Sequence, residues 1–124
     1  MSLRVLAGAL LALVATDAIA QNAASVSGSY CGTWASGNSW QMTLQQNGTS
    51  VSASVTGRRP DGGPSSGSAS GTLSGAQLVL NFAFSRGATG TFSGKVGGGA
   101  ISAAFVRTEP GAPKRRDSAR FTRC

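Results

Sequence analysis

Residues 39–56 read Ser-Trp-Gln-Met-Thr-Leu-Gln-Gln-Asn-Gly-Thr-Ser-Val-Ser-Ala-Ser-Val-Thr. Trp40, Met42 and Leu44 share one parity, and Gln41, Thr43 and Gln45 share the other. Beyond Asn47-Gly48 the alternation resumes, with Val51, Ala53 and Val55 set between Ser50, Ser52, Ser54 and Thr56. A period of two over such a stretch marks a strand with one wet and one dry face. Asn-Gly suits a type I′ hairpin, because both central residues must accept positive φ. The stretch therefore predicts two antiparallel strands joined by a tight turn.

The same pattern extends in both directions. A first strand carries Tyr30, Gly32 and Trp34 on one face. After a Gly/Pro/Ser-rich stretch over Gly57–Ser68, read as a long loop, a fourth strand is predicted near Ser70–Ser74 with Gly71 and Leu73 inward. The fifth holds Leu78, Leu80, Phe82 and Phe84, and the sixth Gly90, Phe92, Gly94 and Val96. The seventh holds Ile101, Ala103 and Phe105. A second long loop, Thr108–Asp117, precedes an eighth strand through Phe121 to Cys124. The intervening turns fall at Ser74-Gly75-Ala76, Arg86-Gly87-Ala88 and Gly97-Gly98-Gly99.

Eight antiparallel strands in a meander predict an all-β closed up-and-down barrel, which removes sheet edges. A two-sheet sandwich is the alternative. Cys31 and Cys124, the only cysteines, stand 93 residues apart. Each has the parity opposite to its aromatic neighbours, so a bridge between them falls on the outer wall, where the first and last strands meet. The outward residues are Ser, Thr, Gln and Asn, without an aromatic girdle, so a lipid-facing wall is not expected.

Residues 1–20 read as an export signal: Arg4, an apolar run over Val5–Ala15 too short to span a bilayer, and Ala18-Ile19-Ala20 as a cleavage site. The other reading is a buried N-terminal helix. The division expected is a signal over 1–20, an N-terminal tail over 21–28 and one barrel domain over 29–124. The expected location is secreted or periplasmic, in a bacterial setting, where two cysteines form a bridge. No membrane span is expected once the signal is removed.

Charge is scarce and one-sided: eleven Lys and Arg against four acids, a net charge of +7. In a meander the loops sort to two ends. Arg58, Arg59, Arg86, Lys114, Arg115 and Arg116 fall at one end, and Arg107 ends a strand pointing there. Trp34 and Trp40 flank the first loop of that end. The expectation is an aromatic-lined mouth with an anion-attracting rim. The plainer reading is that the cations solvate loops and the aromatics fill the barrel.

Short segments resemble the avidin and streptavidin family. Gly32-Thr33-Trp34 with Asn38-Ser39 is similar to its first strand and loop, and Val79–Ser85 to its fifth strand. Thr91-Phe92-Ser93-Gly94-Lys95 resembles its sixth strand, Ile101–Thr108 its seventh, and Arg120–Arg123 its last. The resemblance implies a small molecule, biotin or similar, entering at the loop-rich end. By position it implies ligand contacts from Ser36 and Ser39, and it implies association into oligomers; Trp34, Trp40, Phe82, Phe84 and Phe105 are expected to line the cavity of such a barrel. Phe82, Phe92 and Phe105 stand where the family has tryptophan, Ser36 replaces an Asn, and Val55 falls where a Tyr hydroxyl is expected. These exchanges remove partners for a ureido group, each worth about 1–3 kcal/mol when buried.

No enzyme chemistry is legible. There is no His, the cysteines are expected to be bonded, and Asp61, Glu109 and Asp117 fall in predicted loops. That leaves no general base, triad or metal cluster, and no cofactor is expected. The reading is a non-enzymatic small-ligand-binding barrel. The alternatives are a polyanion or cell-surface adhesion module using the basic loops, and an exported inhibitor of lysozyme-type enzymes. A +7 chain disfavours the last, since lysozymes are commonly basic.

Overall fold

The computed structural model describes residues 25–124; the segment read as an export signal and half of the expected tail, residues 21–24, lie outside these residues. Eight strands follow one another: β1 (Gly28–Thr33), β2 (Ser39–Asn47), β3 (Ser50–Arg58), β4 (Pro64–Ser74), β5 (Gln77–Phe84), β6 (Thr89–Gly97), β7 (Ala100–Thr108) and β8 (Arg115–Arg123). Each pairs antiparallel with the next, and β1 pairs with β8, closing a barrel in sequence order. The meander is as expected, and the sandwich alternative falls away.

Two loop boundaries differ from the sequence reading. β4 begins at Pro64, so the connection after β3 shrinks from Gly57–Ser68 to residues 59–63. Its upper half places Ser65, Gly67 and Ala69 inward, residues too small to show an apolar alternation. Pro64 is tolerated because it opens the strand. β8 likewise begins at Arg115, and the loop before it is 109–114 rather than Thr108–Asp117. Asp117 is therefore a strand residue, paired with Phe105, and not a loop residue.

The seam that closes the barrel is short. β1 and β8 share two register pairs, Tyr30 with Arg123 and Cys31 with Thr122, whereas β2 and β3 share nine. The Cys31–Cys124 disulfide, with Cα atoms 5.7 Å apart, fastens this seam on the outer wall. The Cys124 N–H also donates to the Ser29 carbonyl at 3.1 Å.

Inward side chains fill the barrel. Met42, Leu44, Val51, Val55, Leu73, Leu78, Leu80 and Ile101 are buried among one another. Above them lies a layer of rings: Trp34, Trp40, Phe82, Phe92, Phe105 and Phe121, with centroid separations from 5.0 Å (Trp34–Trp40) to 6.2 Å (Trp40–Phe121). The rings of Phe105 and Phe121 occupy the space that side chains on Gly90 and Gly32 would need. Strong bending of a strand around so narrow a barrel uses inward glycines covered by a neighbouring ring.

The end carrying the short turns is closed by a strap absent from the sequence reading. Val26 is fully buried, its N–H donates to Gln46 Oε1 at 2.8 Å, and its carbonyl accepts the buried Tyr30 hydroxyl at 3.0 Å.

Candidate functional site

The four remaining connections, residues 34–38, 59–63, 85–88 and 109–114, gather at the other end of the barrel. Three of them, 34–38, 59–63 and 109–114, border a hollow of about 340 Å³ above the rings of Trp34, Trp40 and Phe105. Those rings are only 3–6% exposed, so the floor presents their upper edges. A smaller recess of about 30 Å³ adjoins it between Arg59, Phe84, Arg86 and Arg107.

The first loop is held over the barrel from two sides. The Trp34 N–H donates to the Asn38 carbonyl at 2.8 Å, and the Ala35 N–H to the Ser118 carbonyl at 2.9 Å. The Asp117 carboxylate accepts the Ser36 hydroxyl, the Ser36 N–H at 3.2 Å and the Ser118 N–H at 3.0 Å. Asp117 reaches the loop because it shares the inward parity of Ala119 and Phe121. Sequence reasoning missed this clasp, and the alternation of β8 carried upward from Phe121 is the signal that finds it.

The expected ligand-contact residues divide into four groups. Trp34, Trp40, Phe84 and Phe105 border the hollow or its recess. Phe82 lies deeper, 2% exposed, stacked beside Phe84 at 5.7 Å and tilted against Trp40 at 5.2 Å; it supports the floor from below. Ser36 is engaged with Asp117. Ser39 is a correction: it has the parity opposite to buried Trp40 and lies on the outer wall, beside Thr33 and Arg58.

The rim divides as well. Arg59, Arg107, Arg115 and Arg116 line the hollow, and Arg86 borders the recess. Arg58 faces outward from β3, where its guanidinium donates to the Gly62 carbonyl at 3.2 Å. Lys114 borders the outer wall near Thr91 and Val106. Neither lines the hollow.

Three carboxylates at the same end temper the seven cations and leave four net positive charges. Arg59 lies 3.5 Å from Asp61. Arg107 Nε lies 2.7 Å from Glu109 Oε1, yet its N–H is not aimed at that oxygen, so the contact is coulombic rather than a hydrogen bond. The Gly63 N–H, 2.8 Å from Asp61 Oδ1, and then the Arg59 guanidinium hold the Asp61 carboxyl below its ordinary range. Arg107 also lies over the Phe84 ring, 5.4 Å from its centroid, a cation–π contact. The Trp34 indole N–H is buried without a hydrogen-bond partner, and the Trp34 ring centroid lies 5.0–5.5 Å from those of Trp40, Phe105 and Phe121. Among the described residues no cluster of His, Cys, Asp or Glu is placed to hold a metal ion.

No protein-family model and no curated protein matches the sequence. Solved structures do match the fold. A structure of EF1p2_mFAP2b bound to DFHBI is 12% identical, with a TM-score of 0.69, over 85% of this chain and 97% of that one. A de novo designed fluorescence-activating beta barrel is 19% identical, with a TM-score of 0.63, over 82% of this chain and 96% of that one. At such identities the likeness is one of fold. It supports the closed eight-stranded barrel and not membership of the avidin family.

Proposed function

We propose that this chain is an exported, non-enzymatic barrel that binds a small molecule at its open end. The observation that carries the reading is the hollow of about 340 Å³ set over an aromatic floor and walled by polar side chains. Apolar concavities with a few convergent polar groups are the usual form of small-molecule sites. The fold neighbour bound to DFHBI shows that a barrel of this shape accommodates a small ligand in that protein. Export rests on the segment over 1–20, and the disulfide agrees with an oxidising compartment.

The site proposed is shallower than an avidin-like chamber. At the depth of Phe82, Phe92 and Leu80 the interior is occupied by side chains, so a ligand rests on the ring layer instead of passing through it. Biotin is accordingly not the ligand favoured. Trp34 and Trp40 are the only tryptophans and both border the hollow, so intrinsic tryptophan fluorescence of the folded protein reports on the site. Titration with a panel of one- and two-ring aromatic compounds, with biotin included, is expected to give a saturable change for at least one ring compound. A panel that leaves both fluorescence and melting temperature unmoved would overturn the reading.

A further inference from the structure

We propose that the ligand is an aromatic acid, a carboxylate or sulfonate, whose charged group sits between Arg107 and Arg115. This deepens the small-ligand reading and rests on it. Arg107 and Arg115 are register partners across β7 and β8, and both line the hollow. Partners in an antiparallel pair have Cβ atoms about 4.5–5.5 Å apart, and like charges placed so are destabilising. The local carboxylates relieve Arg107, through Glu109, but not Arg115. Among the described residues the ion pairs are Arg59–Asp61 and Arg107–Glu109, and no acid lies within ion-pair distance of Arg115. Asp117, two residues further on the same face of β8, turns its oxygens to Ser36 and Ser118.

Two planar guanidiniums facing one hollow suit a carboxylate or sulfonate, which accepts parallel N–H donors. The floor selects the rest of the molecule. Trp40 and Phe105 border the hollow, and half-buried Phe84 borders its recess with Arg107 over its ring. A bare inorganic anion would leave these rings uncovered, and a neutral ring compound would leave Arg115 unrelieved. An acid carried on a ring meets both.

Two dyes with one aromatic frame test this. 8-Anilinonaphthalene-1-sulfonate carries the acid, and N-phenyl-1-naphthylamine lacks it. The sulfonate is expected to bind about ten-fold or more tightly than the neutral dye, the factor for one charge-assisted hydrogen-bonded contact. Arg115→Ala and Arg115→Glu should close that gap, while Lys114→Ala, altered on the outer wall, should keep it. In the dye-free protein Arg115→Ala should raise the melting temperature, because it relieves the repulsion. Equal binding of the two dyes, or a gap that survives Arg115→Ala, would overturn the aromatic-acid proposal and leave the small-ligand reading standing. Saturable binding of neither dye, with no aromatic compound moving the intrinsic fluorescence, would remove both.

Discussion

The ring of Phe105 packs against Gly90: a methyl group on Gly90 would occupy the space of the ring's outer edge. Phe105 in turn packs on Trp34 and Trp40 at 5.5 and 5.6 Å. One missing side chain on β6 thus makes room for a ring of the floor. Gly90→Ala is expected to displace Phe105 and cost about 1–3 kcal/mol, the range for an overpacked core. Gly97→Ala, where nothing lies within 4 Å of the added carbon, should be nearly neutral. Chemical denaturation of the two variants, with tryptophan emission as the probe, checks the contrast.

The disulfide fastens a seam of two register pairs. Closing a loop of 93 residues restricts the unfolded chain by about 4.5 kcal/mol in the chain-entropy treatment, as an upper value. Reduction, or Cys31→Ser with Cys124→Ser, should lower stability by several kcal/mol. Hydrogen exchange in the reduced protein should accelerate first at β1 and β8. Uniform acceleration around the barrel would contradict a weak seam.

The strap at the closed end depends on the Tyr30 hydroxyl. Tyr30→Phe leaves the buried Val26 carbonyl without that donor. A loss of about 1–2 kcal/mol is expected, read from denaturant midpoints at unchanged m-value.

Asp117 clasps the first loop from β8. Asp117→Ala should speed exchange of the Ser36 amide about ten-fold or more, the equivalent of one lost hydrogen bond. It should also weaken any ligand held at the mouth, whereas Asp117→Asn, which keeps one acceptor oxygen, should fall between.

Acid acts through Asp61. Its folded pKa is lowered by the Gly63 N–H and then by Arg59, so it contributes stability above the unfolded Asp value of about 3.9. That contribution is lost as pH falls through the lowered folded value. Asp61→Asn should flatten the acid limb of the melting-temperature profile slightly, the carboxyl being exposed. A profile identical to that of the parent would show that the loop does not couple to folding.

The strand order and the staple were legible because large inward residues alternate with Ser, Thr and Gln from Trp40 to Phe105. Legibility failed where inward residues are small or charged. Ser65, Gly67 and Ala69 hide the upper half of β4, and Arg115 and Asp117 hide the start of β8 because water reaches the inward face there. Ser39 was placed in the site by resemblance, while its parity with Trp40 already put it outside. Arg58 was assigned to the mouth by its loop, although its parity with Thr56 puts it on the wall. The filled interior was not legible, because alternation shows which side chains point inward and not whether their volumes meet. The opposition of Arg107 and Arg115 needed the register, which loop lengths do not provide.

A barrel filled up to its ring layer has no chamber to seal. A molecule resting on Trp40 and Phe105 keeps one side wet, so arrival and departure require no breathing of the wall. For the ligand proposed above, exchange at such a perch requires only diffusion across the open mouth.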